Sequence, residues 1–224
     1  MEETIQALLS RHRLWLESKG ERGEQLDLSG RDLSEHDLRG VNMSGAILEG
    51  AKMWLCECQD SNLSGISLRG ASLRQADFSR CNLRGADLAG CYLEAAIFEK
   101  ADLTEANLSD CNLTSTDFSQ AIMRRANLRG SGFWETVFFE ADLTEADLSY
   151  AAIWRTSINV ANIRNANLTG ANMELTLYLT AAKLLEVRSL YHVQHLEVGQ
   201  LRDYNELSPE EKARLDELLR TKVE

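Results

Sequence analysis

A large apolar side chain recurs at every fifth position from Leu28 to Tyr178, with Cys58 the one small exception. The 31 central positions run Leu28, Leu33, Leu38, Met43, Leu48 and Met53 through to Ile163, Leu168, Met173 and Tyr178, and the register never slips. Two residues before each centre, Ala or Cys prevails, with Ser or Thr next; one residue before, Asp or Asn is common. A helix repeats at 3.6 residues and a strand at 2, so a period of five matches neither. Fixed-period self-similarity is instead the mark of a solenoid.

Taking every fourth centre uncovers a longer period. Leu28, Leu48, Leu68, Leu88, Leu108, Leu128, Leu148 and Leu168 form one class, and Phe78, Phe98, Phe118, Phe138, Ile158 and Tyr178 another. Thr116, Thr136, Thr156 and Thr176 stand two residues before the second class. Like residues twenty apart predict a coil with four five-residue sides, each circuit paired to the next as a parallel ladder at about 4.8 Å. Phe78, Phe98, Phe118 and Phe138 then stack inside as the core. A left-handed β-helix needs a six-residue phase, and a leucine-rich repeat needs 20–29 residues with a different leucine spacing. Neither fits.

Ala86-Asp87-Leu88, Ala101-Asp102-Leu103, Ala106-Asn107-Leu108 and Ala141-Asp142-Leu143 carry the A(D/N)LXX pattern. Over residues 26–180 the chain resembles the pentapeptide-repeat family. The resemblance implies an all-β solenoid: a right-handed quadrilateral β-helix with each centre and the residue two before it facing inward. The residues agree on those positions, which alone are consistently apolar or small. Thirty-one units make about eight coils, a rod on the order of 37 Å long at the inter-strand spacing.

The ends read as α-helical caps, because an open coil would expose unpaired backbone. Residues 1–25 hold a capping helix over 3–18, with Ile5, Leu8, Leu9, His12, Trp15 and Leu16 on one face. Residues 181–224 hold a C-terminal cap and tail: a helix from Thr180 to about Val193, and a second over 208–222. Ser208-Pro209-Glu210-Glu211 gives the latter a strong start. Its narrow stripe of Leu215, Leu218 and Leu219 fits either the rod or a second copy.

Composition narrows the function. The net charge of −11 argues against direct binding to nucleic acid, although much of the acid belongs to the repeat itself. No apolar run is long enough for a membrane span. The acidic start Met1-Glu2-Glu3-Thr4 lacks the basic end of a signal peptide, and five cysteines do not make a disulfide framework. The expectation is a cytoplasmic protein with free thiols.

Candidate chemistry is sparse. No Ser-His-Asp order, glycine-rich phosphate loop or paired buried carboxylates stand out, so no enzyme, cofactor or metal is expected. His36, Cys56 and Cys58 point inward on one side in this reading, without the fourth ligand a structural zinc requires. Arg84, Arg124 and Arg164, separated by Thr104 and Thr144, line a solvated face. Aromatic residues are the exception. Trp54, Trp134 and Trp154 share the outward column after the centre, Phe139 is on the adjoining side and Tyr150 lies nearby. Arg74, one coil above Trp54, is placed to lie on its ring. Exposed aromatics this close are candidate protein-binding residues.

The leading expectation is therefore a scaffold that binds an unidentified protein partner through a solenoid face, with a homodimer as another assembly. The resemblance implies a rival. One group in the family, quinolone-resistance proteins included, binds DNA gyrase or topoisomerase IV as a negatively charged imitation of duplex DNA. Many of its members carry loops that interrupt the coils and a short C-terminal dimer module. This chain has no such loops, and it has an extra helix after Ser208.

Overall fold

The computed structural model describes residues 4–158, 160–174, 176–196, 201 and 203–221. One local hydrogen-bond scheme builds the whole repeat region. The amide three residues after a centre donates to that centre's carbonyl, as Ala51 N–H does to Leu48 at 3.2 Å, closing a β-turn. The third residue of every turn, each fifth position from Gly30 to Gly170, has φ between 47° and 69°. Positive φ there is the requirement of a type II turn.

Neighbouring circuits are joined by two further bonds. Leu48 N–H donates to the Ser67 carbonyl at 2.7 Å, and Ser67 N–H returns to Ala46 at 2.9 Å. Residue n thus bridges residue n + 20 in parallel, from Asp27↔Ile47 to Ser157↔Leu177. Four turns fill each circuit.

This scheme leaves the amide just after each centre without a backbone acceptor, and the Asp or Asn just before the centre supplies one. Asp27 Oδ1 accepts Ser29 N–H at 2.9 Å, Asn107 Oδ1 accepts Ser109 N–H at 3.2 Å and Asp147 Oδ1 accepts Ser149 N–H at 2.9 Å. Short polar side chains that bond two residues ahead are the ones suited to this turn. The column two before the centre has its own logic. Thr116 Oγ1 donates to Leu93 O at 2.9 Å, Ser131 Oγ to Leu108 O at 2.6 Å and Cys91 Sγ to Leu68 O at 2.9 Å. Ser, Thr and Cys share that column with Ala because each is small and each buried donor finds a carbonyl.

Regular strand is nonetheless scarce. Among the described residues only β1 (Gly132–Trp134) and β2 (Ala152–Trp154) reach three residues, paired in parallel with Trp134 opposite Trp154. The other pairings are single-residue bridges, because a turn at each fifth residue leaves little room for more. Describing the chain as all-β overstates its strand content.

The interior is a continuous apolar column. Phe78, Phe98, Phe118 and Phe138 are buried and stacked, their ring centroids 5.1, 5.1 and 5.2 Å apart and their planes nearly parallel. The inward series ends one unit early. Tyr178, expected as the last centre, is 64% exposed, and Leu179 is buried in its stead. The chain there leaves the repeat to enter α2 (Ala181–Leu185), capped by Thr180.

That helix is shorter than the span to about Val193. After it the chain rejoins the rod: Asn167 bridges Ser189 and Asn172 bridges Gln194, an offset of 22 that absorbs two extra residues. Asp203 holds the helix start by accepting from Ala181 N–H at 2.6 Å and Ala182 N–H at 3.0 Å. α3 (Pro209–Arg220) begins with the expected capping box at Ser208 and Glu211. It buries Leu215 and Leu218 at the end of the rod, where Leu218 O accepts Leu190 N–H at 3.2 Å. Its expected end at residue 222 lies outside the described residues.

At the other end α1 (Ile5–Glu17) starts at the Thr4 cap; the expected start at residue 3 is outside the described residues. Its face of Ile5, Leu8 and Leu9 packs on the core, and His12 is completely buried. His12 Nδ1 accepts Leu26 N–H at 3.1 Å, and its ring stacks on Trp15 at 5.5 Å.

Candidate protein-interaction face

The repeat places the residue after each centre outward, and on one side of the rod that column holds the three tryptophans. Trp134 and Trp154 meet edge to face, centroids 3.8 Å apart at 72°, with Trp134 40% exposed. Arg155 pairs with Glu135 beside them at 3.1 Å, a solvent-exposed pair that contributes little to stability. Trp54 stands four circuits away and donates Nε1–H to Gln75 Oε1 at 2.9 Å. Phe139 and Tyr150 are both exposed, and neither has a ring contact with the tryptophan pair. Tyr150 lies over Gly170, where an added Cβ would come within 2.8 Å of its ring. The Arg129 guanidinium caps that ring at 4.2 Å.

Arg74 does not lie on Trp54. It sits 5.8 Å from the Tyr92 ring centre and forms a two-pronged bond with Glu94, at 2.9 and 3.0 Å. The carboxylate one coil above draws the guanidinium away from the indole below.

Beside the tryptophan pair runs a depression of about 340 Å³, lined by Asp110, Asn112, Gly132, Trp134, Ala152 and Trp154 among others. Gly132 and Ala152 stand where the repeat usually has Asp or Asn, and their small size opens the groove. The Trp154 Nε1 atom is buried without an acceptor among the described residues. Sequence reasoning found the tryptophans but missed Asp110, Gly132 and Ala152. The signal was available: Gly132 and Ala152 are consecutive small residues between Asn112 and Asn172 in their column, and Asp110 interrupts a column of glycine at Gly90 and Gly130.

Arg84 and Arg124 are engaged by Asp102 at 3.0 Å and Asp142 at 2.6 Å, in a polar hollow of about 540 Å³ that Arg164 also lines. Partial burial pushes the Asp142 carboxyl up, but bonds from Thr144 and Arg124 outweigh it and hold its pKa below the ordinary value. The inward placement of His36 is overturned. His36 is exposed, with Nδ1 3.0 Å from the Ser34 carbonyl; as part of the first circuit it has no coil beneath to enclose it. Cys56 and Cys58 remain inside with sulfurs 3.6 Å apart. Burial raises the Cys81 and Cys111 thiols to about 12, which keeps them protonated and unreactive.

A twenty-residue circuit with four turns, apolar inside and variable outside, defines a repeat scaffold in which the outward columns are free to carry function. The profile of the pentapeptide repeats matches in eight copies over residues 25–53, 56–94, 91–130, 121–158 and 136–174, and the chain belongs to that family. Its members fold as right-handed quadrilateral β-helices. Solved structures similar to the chain include a trypsin-treated form of QnrB1, a plasmid-mediated fluoroquinolone resistance protein. It is 16% identical with a TM-score of 0.45, over 80% of this chain and 84% of that one. A pentapeptide repeat protein from the Arabidopsis thaliana thylakoid lumen is 24% identical (TM-score 0.17; 81% and 88% covered). Rfr23 from the cyanobacterium Cyanothece 51142 is 17% identical (TM-score 0.19; 79% and 100% covered). No curated protein matches. Among the described residues no helix is long and apolar enough to cross a membrane.

Proposed function

We propose that this chain, wound as a right-handed four-sided rod of about eight coils, is a non-enzymatic cytoplasmic scaffold that binds another protein. The binding side is the one that carries Trp134 and Trp154. The observation that supports this is the edge-to-face tryptophan pair, Trp134 exposed and Trp154 half-buried, beside an open groove. Elsewhere much of the surface is satisfied by the rod's own hydrogen bonds and ion pairs, as at Arg80–Asp60 and Arg125–Glu105. Exposed aromatic clusters at a groove are the usual anchors of protein recognition. The double substitution Trp134→Ser, Trp154→Ser abolishes saturable capture of the partner from the native host and leaves the melting temperature unchanged. Capture that survives the double substitution counts against the reading.

A second reading, competition with DNA for a type II topoisomerase, draws on the net charge of −11. It is the weaker one, because many of the repeat's aspartates are engaged within the rod by turn amides and arginines. A supercoiling assay with and without ciprofloxacin tests it, and no effect at micromolar protein removes it.

A further inference from the structure

The groove beside the tryptophan pair brings together an acid and aromatic rings that the chain itself leaves unmatched. Three acids at turn corners pair with arginines one coil above: Asp60 with Arg80, Glu105 with Arg125, Glu135 with Arg155. Asp110 occupies the same corner position, but the corners directly below and above it are Gly90 and Gly130. Its Oδ1 leans over Gly130, within 2.5 Å of where a Cβ would stand. Arg129, the nearest arginine in sequence on the coil above, is turned toward the next coil, bonding Ser149 Oγ at 3.0 Å and covering Tyr150. No ion pair engages the Asp110 carboxylate among the described residues.

The rings show the same contrast. The exposed tyrosines near this side each carry a guanidinium of the chain itself, Arg74 over Tyr92 and Arg129 over Tyr150. Among the described residues no such cation lies over Trp134 or Trp154. One groove thus presents an unpaired carboxylate on one wall and, on the other, indoles that no cation of the described residues covers, separated by Gly132 and Ala152, whose small size leaves room for an inserted side chain.

Resting on the protein-binding reading of this face, we infer that the groove receives an arginine side chain from an extended basic segment of the partner protein. A planar guanidinium is the group that both walls recognise, because it stacks on an indole face and forks onto a carboxylate. An aliphatic anchor would leave Asp110 unmatched, and an acidic one would be repelled by it.

The test uses the full chain with Trp15→Phe and Trp54→Phe, so that emission reports Trp134 and Trp154 alone. The probes are the acetylated, amidated peptide Gly-Ser-Arg-Gly-Arg-Ser-Gly and its twin with citrulline, neutral and nearly isosteric, in place of arginine. The expected result is a saturable emission change with the arginine peptide and binding of the citrulline peptide weaker by about tenfold, the order of a charge-assisted contact beside an aromatic face. Asp110→Asn lowers affinity for the arginine peptide by a similar factor and leaves the citrulline peptide unaffected. Equal binding of the two peptides, or no saturation by the arginine peptide up to millimolar concentration, overturns the arginine assignment. Failure of the broader reading shows separately, as partner capture that persists in the Trp134→Ser, Trp154→Ser chain. A concentration-dependent mass increase by light scattering, lost in that same double variant, assigns the groove to a second copy and also overturns the proposal.

Discussion

Two adjacent sides of this rod share the same interior logic and differ completely outside. The side centred on Leu28 through Leu168 has glycine at most of its corners and a ladder of amides: Asn107 Nδ2 bonds Asp87 Oδ1 at 3.0 Å, and Asn127 Nδ2 bonds Asn107 Oδ1 at 3.0 Å. Apart from the Asp110 corner, which opens onto the neighbouring side's groove, its amide ladder is matched from coil to coil. The side centred on Leu33 through Met173 has the tryptophans, the gap at Gly132 and Ala152, and an indole nitrogen without an acceptor. A solenoid requires only its inward columns and its turn amides to be satisfied, so an outward column can be left unmatched at little cost to folding. The lesson is that binding capacity on such a rod is found where self-satisfaction stops.

That contrast can be broken by experiment. The largest expected effect lies beneath both surfaces: Phe118→Ala leaves a void between Phe98 and Phe138 and costs about 3–5 kcal/mol, read as a lower midpoint in urea unfolding. On the matched side, Asn107→Ala loses the bonds to Asp87 and Asn127 and the turn cap on Ser109 N–H. It should cost about 1–2 kcal/mol; a change near zero would show that the amide ladder is ornamental. On the tryptophan side, Trp134→Ser changes stability by less than about 0.5 kcal/mol, as expected of a surface change. A loss comparable to that at Phe118 would mean that the indole pair is structural.

Two further predictions sharpen the picture at the corners and the end. Val160 is a β-branched residue at φ 47°, a conformation only glycine adopts freely. Val160→Gly therefore raises stability by about 0.5–1 kcal/mol, measurable as a higher melting temperature. At the N-terminal cap, burial lowers the His12 pKa, and the Ser44 carbonyl offsets this only in part. A histidine held neutral in the fold contributes stability that is fully present above its unfolded pKa of about 6.5 and is lost as pH falls below it. The urea midpoint should drop between pH 7.5 and 5.5 for this reason. His12→Gln, which keeps an acceptor for Leu26 N–H and cannot titrate, should weaken that dependence.

Much of this was legible before any coordinates. A register of apolar residues at five, with phenylalanine recurring at twenty, dictates which residues stack, because side chains one circuit apart must share a wall. The helix start at Ser208 was equally plain, since its capping box is local chemistry. Tyr178 and the length of α2 were not legible. Tyr178 continues the five-residue pattern, and only the turn into α2, anchored by Asp203 from more than twenty residues away, takes it out of the core.

The sequence by itself determined the periodic interior, since burial and turn chemistry act residue by residue and repeat with the chain. Only the tertiary structure decided how the outside is matched. Whether Arg74 meets Trp54 or Tyr92, and whether Asp110 finds an arginine, depends on which coil each side chain leans toward. That choice is settled by neighbours twenty residues away along the chain but one rung apart in space.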